Sequence, residues 1–180
     1  MKGAVFKTLT ISILLLCLAG CDGPWVEVLY VDPPIDLSGY DGGFVIEGEP
    51  HVEMGFYIEQ LYQPLSDGEP CYVAWGLQGG TWTMPALRTK GIGTPVTVSC
   101  TMVTETGEIV SEVVSKTPLF LTPDRYLEVQ AYPIPVHHPP PNEQTGVDDL
   151  YGQMATLTCE ISDGEGRSDS VTYEVELVEG

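Results

Sequence analysis

The chain has 180 residues, of which 26 are Asp or Glu and 7 are Lys or Arg, giving a formal net charge of −19. Phosphate would be repelled by such an excess of negative charge, which argues against a nucleic-acid partner. With 43% hydrophobic residues, including three Trp, the chain can bury a core and is not a disordered acidic tail. No apolar run reaches the roughly 20 residues that a membrane-spanning helix requires.

The first 20 residues have the organisation of an export signal. Lys2 and Lys7 form a positively charged n-region, and an apolar h-region follows from Leu9 to Leu18. This stretch is too short to span a bilayer, and no basic stop-transfer cluster comes after it. Residues 1–20 are therefore predicted to be a signal peptide that is cut off.

The signal ends in Leu18-Ala19-Gly20-Cys21, which resembles the lipobox of bacterial lipoproteins. In that family the cysteine thiol is acylated and the chain is cut just before it, so the resemblance implies a lipid on Cys21. Each acyl chain contributes about 0.8 kcal/mol per buried methylene, so two or three chains anchor a protein stably. The implied location is the cell envelope, on a bacterial membrane, with the outer membrane favoured. The alternative is an ordinary signal peptide with an unrelated cysteine near its end.

Residues 21–43 are rich in Gly, Pro and Asp and lack sustained periodicity, which predicts a flexible tether containing at most one short strand, Val26–Val31. From residue 44 to residue 180, apolar and polar side chains alternate with a period of two. This is typical of strands with one face on a core. The predicted strands are Val52–Tyr62, Cys71–Trp75, Thr81–Arg88, Val96–Met102, Glu108–Val114, Tyr126–Tyr132, Ala155–Ile161 and Val171–Leu177. Together with the turn signals between them, they predict an all-β fold, an immunoglobulin-like or fibronectin-like antiparallel β-sandwich.

Three motifs of this region resemble those of a group of uncharacterised bacterial lipoproteins. They are Val52-Glu53-Met54-Gly55, Pro64-Leu65-Ser66-Asp67-Gly68 and the glycine-rich run from Gly76 to Trp82. The group has no activity to carry over, so the resemblance implies fold and location alone. Immunoglobulin domains place a Tyr two positions before their second cysteine, where this chain has Leu157. The expectation is therefore an immunoglobulin-like sandwich without antibody-type homology.

Cysteine pairing becomes relevant because an exported domain lies in an oxidising compartment. With Cys17 in the signal peptide and Cys21 lipidated, three cysteines remain, enough for one disulfide. Cys100 and Cys159 hold equivalent positions in two similar strands, so this pair is favoured. A bond between Cys71 and Cys159, across the two sheets, is the alternative.

The longest irregular stretch lies between Tyr132 and Gln153 and is dense in proline. Proline favours extended backbone over helix or central strand, which predicts a long loop at one pole of the sandwich. Residues 133–150 are the predicted partner-binding surface, because exported sandwiches often bind through end loops. The candidate binding residues are His137, His138, Asp148 and Asp149. Both histidines are expected to be exposed.

No metal or cofactor is predicted. The histidines lack the spacing of a zinc site. Residues 163–174 have the outline of an EF-hand loop, but Arg167 and Ser168 occupy its fifth and sixth positions. No Gly-x-Ser-x-Gly elbow is present, and 26 acids make chance carboxylate pairs uninformative.

These observations predict a non-catalytic, membrane-anchored envelope lipoprotein whose sandwich is structural or binds an envelope protein or polysaccharide. Two alternatives remain open. One is an enzyme that acts on envelope polysaccharide or peptide, and the other is an acidic module that binds divalent cations.

Overall fold

The structure is a computed structural model that describes residues 35–36, 44–76, 79–141 and 146–180. All of these residues belong to one compact unit, Asp32–Gly180. The predicted signal peptide, the predicted lipidation site Cys21 and the predicted tether other than Ile35 and Asp36 lie outside the described residues. Within the described ranges, no helix is both long and apolar enough to cross a membrane.

Thirteen strands and one turn of 3₁₀ helix, Asp148–Leu150, make up the regular structure of the described residues. The strands are β1 (Ile35–Asp36), β2 (His51–Ile58), β3 (Leu61–Pro64), β4 (Glu69–Trp75), β5 (Thr81–Thr83), β6 (Ala86–Lys90), β7 (Val96–Thr104), β8 (Ile109–Thr117), β9 (Phe120–Leu121), β10 (Leu127–Val129), β11 (Ile134–Val136), β12 (Met154–Asp163) and β13 (Ser168–Glu179).

The strands form two sheets that pack on one another, so the prediction of an all-β sandwich is confirmed. One sheet has six strands in the order β1-β9-β10-β6-β2-β3, and the other has seven in the order β11-β5-β4-β13-β12-β7-β8. The seven-stranded sheet is mixed and not purely antiparallel, because β4 pairs with β13 in parallel. Two parallel strands cannot be joined by a tight turn, so such partners lie far apart in the chain, as β4 and β13 do. No local sequence pattern therefore predicted this pair.

The core lies between the sheets and follows the period-two pattern. On β7, Val96, Val98, Cys100 and Met102 are buried, and the residues between them are more exposed. Met54, Leu87 and Leu127 of the six-stranded sheet, like Leu157 and Leu177 of the seven-stranded sheet, are completely buried. Alternation predicted β7 and β12 well because one face of each lies on the core.

The predicted strand Val52–Tyr62 is in fact the hairpin β2–β3. The chain reverses at Glu59 and Gln60, whose φ angles are 50° and 67°, and Ile58 then pairs with Leu61. Two central residues with positive φ form a turn whose twist matches that of the flanking strands. Neither residue is Gly or Asn, so the sequence carried no turn signal.

A bent ribbon of two paired segments joins the two sheets at one corner. Predicted strand Thr81–Arg88 is divided at Pro85, with β5 in one sheet and β6 in the other, and β10 and β11 follow the same path beside it. From the pair Val129–Leu87 to the pair Ile134–Thr83, the segment that joins β10 to β11 advances by five residues, and the segment that joins β6 to β5 advances by four. The first segment therefore has one extra residue, a bulge, and a bulge bends a ribbon so that it can turn a corner.

Two predicted irregular regions contribute to the sheets. Ile35, in the predicted tether, pairs with Leu121, so β1 extends the six-stranded sheet. Within the predicted 133–150 loop, β11 pairs with β5. The backbone N–H of His137 also donates to the carbonyl of Val110 on β8, at 2.9 Å. The seven-stranded sheet is therefore curled until its two edge strands are in contact.

Candidate functional site

A disulfide joins Cys100 of β7 to Cys159 of β12, and this is the pair that the sequence favoured. The two residues are directly opposite each other in adjacent antiparallel strands. Cys71 is a free, buried thiol that donates a hydrogen bond to Thr83 Oγ1 at 3.2 Å. Burial raises the pKa of Cys71 to about 11, so this thiol stays protonated and unreactive.

The predicted binding segment, residues 133–150, is largely part of the fold. In its described residues the apolar side chains of Ile134, Val136, Val147 and Leu150 are buried in the core. Deleting the segment would therefore remove strand β11 and core volume together. The prediction of a long irregular loop at one pole of the sandwich is therefore wrong for the part of this segment that forms β11 and enters the core.

His138 is buried, with 8% of its surface exposed, which corrects the expectation that both histidines are exposed. Its Nδ1 lies 2.7 Å from Glu108 Oε1, and its Nε2 lies 2.9 Å from Asp149 Oδ1. The hydrogen bond with Glu108 raises the pKa of His138; burial opposes this, and Asp149 adds to it. Of the other candidates, His137 is half-buried, with Nδ1 2.9 Å from the carbonyl oxygen of His138, and Asp148 is exposed.

The EF-hand-like segment is a tight turn whose carboxylate is fully used. Asp163 Oδ1 accepts from the backbone N–H groups of Glu165 and Arg167, and its Oδ2 accepts from the N–H of Gly93 and from Arg167 Nε at 2.6 Å. Burial alone would raise the pKa of Asp163, but these donors lower it. In the described part of the chain, no group of three or more His, Cys, Asp or Glu side chains is arranged to hold a metal ion.

Arg88 is the centre of a buried polar cluster that the sequence did not reveal. Its Nε donates to Glu128 Oε2, and its Nη1 lies 2.9 Å from Asp124 Oδ2. The hydroxyl of Tyr57 accepts from Arg88 Nη2 at 3.0 Å and donates to Glu128 at 2.8 Å. The guanidinium also lies 3.7 Å from the ring centroid of Tyr62, close enough for a cation–π interaction.

These contacts lock the Arg88 cluster in one arrangement. Burial disfavours the charge of Arg88, but the hydrogen bonds with Tyr57 and Glu128 outweigh it and raise the pKa of Arg88. Glu128 is completely buried. Its charge is balanced inside the protein, so the pair holds β6 and β10 together and offers no free group to a ligand.

A groove beside this cluster is the candidate binding site. It has a volume of about 690 Å³ and is lined by Phe44, Val45, Ile46, Glu47, Lys90, Leu121, Asp124 and Arg125. Lys90 and Arg125 form no ion pair with any described residue. The ammonium of Lys90 lies 3.8 Å from the ring centroid of Tyr126. Asp124 is instead paired with Arg88.

The groove therefore combines two cations, Lys90 and Arg125, and two carboxylates, Glu47 and Asp124, with an apolar wall, on a protein of charge −19. The sequence offered one signal for it: the described residues contain only five Lys or Arg, and Arg88, Lys90 and Arg125 are three of them. No periodicity showed that residues so far apart in the chain meet at one groove. Comparison of the chain with protein-family models, with curated proteins and with solved structures gives no match.

Proposed function

We propose that this protein is a lipid-anchored, non-catalytic binding module of a bacterial cell envelope. The observation that carries the proposal is the groove, where Lys90 and Arg125 line an open surface and have no carboxylate partner among the described residues. Cations left unpaired on an acidic protein are suited to bind an anionic group of a partner.

The state of the other polar groups supports binding over catalysis. A catalytic acid, base or nucleophile must face a space that the substrate can enter. His138, Asp163 and Glu128 instead spend their hydrogen-bonding capacity on neighbouring residues. The anchor rests on the lipobox-like Leu18-Ala19-Gly20-Cys21, which would hold the sandwich at the membrane surface.

The anchor is tested by expressing the full chain in bacteria with a labelled fatty acid. We expect the wild-type protein to take up the label and to sediment with membranes. Cys21→Ala should abolish both, and Cys17→Ala, a change inside the predicted signal peptide, should abolish neither. Label retained by the Cys21→Ala protein would contradict the lipoprotein assignment.

The binding role is tested by placing a photo-crosslinking amino acid at Glu47, an exposed residue of the groove. Irradiated cells should yield a crosslinked adduct from this position. The matched control is the same amino acid at Lys116, an exposed position on β8, which should yield none. Equal adducts at both positions, or none at either, would contradict a binding role for the groove.

A further inference from the structure

The chain between β11 and β12 is fastened to the sheets at its two ends by backbone hydrogen bonds. The N–H of His137 donates to the carbonyl of Val110 at 2.9 Å, and the N–H of Gly152 donates to the carbonyl of Leu177 at 2.7 Å. Between these two bonds, no backbone group of the described residues is bonded to a strand. Side chains must therefore hold this part of the chain against the sheets.

Buried apolar side chains and one polar clamp supply those contacts. Val147 and Leu150 are buried in the core, with 2% and 1% of their surface exposed. In the clamp, the ring of His138 bonds to Glu108, in the turn between β7 and β8, and to Asp149, in the 3₁₀ turn. The 3₁₀ turn is therefore joined to the turn between β7 and β8 through a single imidazole.

The charged groups that contact the His138 ring, among the residues that the structure describes, are both carboxylates. Glu108 comes from the turn between β7 and β8 and Asp149 from the 3₁₀ turn, and no described Lys or Arg pairs with either. His137, the titratable neighbour on the same segment, has its Nδ1 against the backbone carbonyl of His138. The clamp therefore depends on the charge of His138.

Loss of the His138 proton would break one of the two bonds, because a neutral imidazole has a single N–H to donate. The side chain of Asp149 is 71% exposed and that of Glu108 is 31% exposed, so water solvates Asp149 more readily. The bond to Asp149 is also the longer of the two, at 2.9 Å against 2.7 Å. The bond that is lost is thus the one to the 3₁₀ turn, which leaves Val147 and Leu150 to hold it.

We propose that His138 is the latch of a pH-sensitive switch: its deprotonation frees the 3₁₀ turn Asp148–Leu150, which then opens more often while the two sheets stay folded. The proton passes to water. The pKa of His138 is raised, so the turn is held below about pH 6.5, the ordinary value, and is released as pH rises through the folded pKa. The opened turn exposes the apolar side chains of Val147 and Leu150. This inference does not depend on the binding role of the groove.

Native-state hydrogen exchange of the detergent-solubilised full chain, followed by NMR, tests the switch. The reporter is the N–H of Leu150, which donates to the carbonyl of Val147 inside the turn. After correction for the pH dependence of the chemical exchange rate, we expect its protection factor to fall roughly 10- to 100-fold from pH 5.5 to pH 8.5, because a hydrogen bond to a charged group is lost. Its exchange should depend less on urea than that of the N–H of Leu157 in β12, because a local opening exposes less surface than global unfolding.

Two exposed carboxylates of the same turn provide matched variants. At pH 5.5, Asp149→Ala should lower the protection of Leu150 to about the wild-type level at pH 8.5, and Asp148→Ala, which removes a carboxylate not bonded to His138, should leave it unchanged. His138→Gln should remove most of the pH dependence. Three results would overturn the proposal: equal protection of Leu150 at both pH values, equal effects of the two Asp variants, and a urea dependence of Leu150 equal to that of Leu157.

Discussion

His138 Nδ1 lies 2.7 Å from Glu108 Oε1, although 30 positions separate the two residues. The other ring nitrogen bonds to Asp149. Carboxylates accept hydrogen bonds and do not donate them, so both nitrogens must carry protons for both bonds to exist. The imidazolium of His138 thus fastens the 3₁₀ turn at Asp148–Leu150 to the turn between β7 and β8.

This arrangement makes the free energy of unfolding depend on pH above about 6.5, the ordinary pKa of histidine. Because the pKa of His138 is raised in the folded state, its contribution is fully present below about pH 6.5, the unfolded value, and is lost as pH rises through the folded pKa. We expect His138→Gln to lower the free energy of unfolding more at pH 5.5 than at pH 8.5, in urea titrations of the full chain. His51→Gln, at an exposed site, is the control. An equal loss at both pH values would contradict the proposed protonation.

The pair of Arg88 and Glu128 should be strongly coupled. Removing Glu128 alone, as Glu128→Leu, leaves the buried guanidinium of Arg88 with the half-exposed Asp124 as its remaining counter-ion, and we expect a loss of about 3 kcal/mol, the lower end of the range for a broken buried pair. Arg88→Met should cost a comparable amount for the converse reason. The double variant should lose much less than the sum, as a double-mutant cycle of urea unfolding would show. Additive losses would mean that the pair does not act as a unit.

The disulfide between Cys100 and Cys159 constrains the unfolded chain. The two residues are 59 positions apart, and closing such a loop stabilises by about 4 kcal/mol from loop entropy. We expect Cys100→Ala with Cys159→Ala to lower the free energy of unfolding by about that amount. Cys71→Ala, which removes a buried thiol outside the disulfide, should cost less. If the wild-type protein unfolds at the same urea concentration with and without a reducing agent, the disulfide is absent.

Asp163 should behave as a structural carboxylate and not as a calcium ligand. Its pKa is lowered, so its contribution is present above about pH 3.9 and is lost as pH falls through the folded value. Asp163→Asn should lower the free energy of unfolding by about 1.5–3 kcal/mol, and Glu165→Gln, on the same turn but exposed, should have little effect. Millimolar calcium should leave the wild-type melting temperature unchanged; a rise that Asp163→Asn abolishes would restore the calcium-module alternative.

The sequence predicted features that depend on neighbouring residues and missed features that depend on contacts between residues far apart in the chain. The strands around Cys100 and Cys159 were predictable because alternation is local and each strand has one buried face. The division at Pro85 was missed because the sheet that each half joins is decided by its pairing partner, β11 for β5 and β10 for β6, which lies about 40 to 50 positions further along the chain. Arg88 resembled a solvent-facing residue, since a charged side chain in a strand normally points to water. Only the pairing of β6 with β10 brings Glu128 beside it.

The amino-acid sequence by itself predicted a fold of two facing β-sheets, favoured the pair of Cys100 and Cys159, and predicted an export signal at the N-terminus, because each of these depends on residues close together in the chain or on simple counting. Tertiary structure alone decided that residues 133–150 contribute to the core, that His138 is held between Glu108 and Asp149, and that Lys90 and Arg125 share a groove. Those features arise where strands distant in sequence become neighbours, and a periodic pattern carries no information about which strands those are.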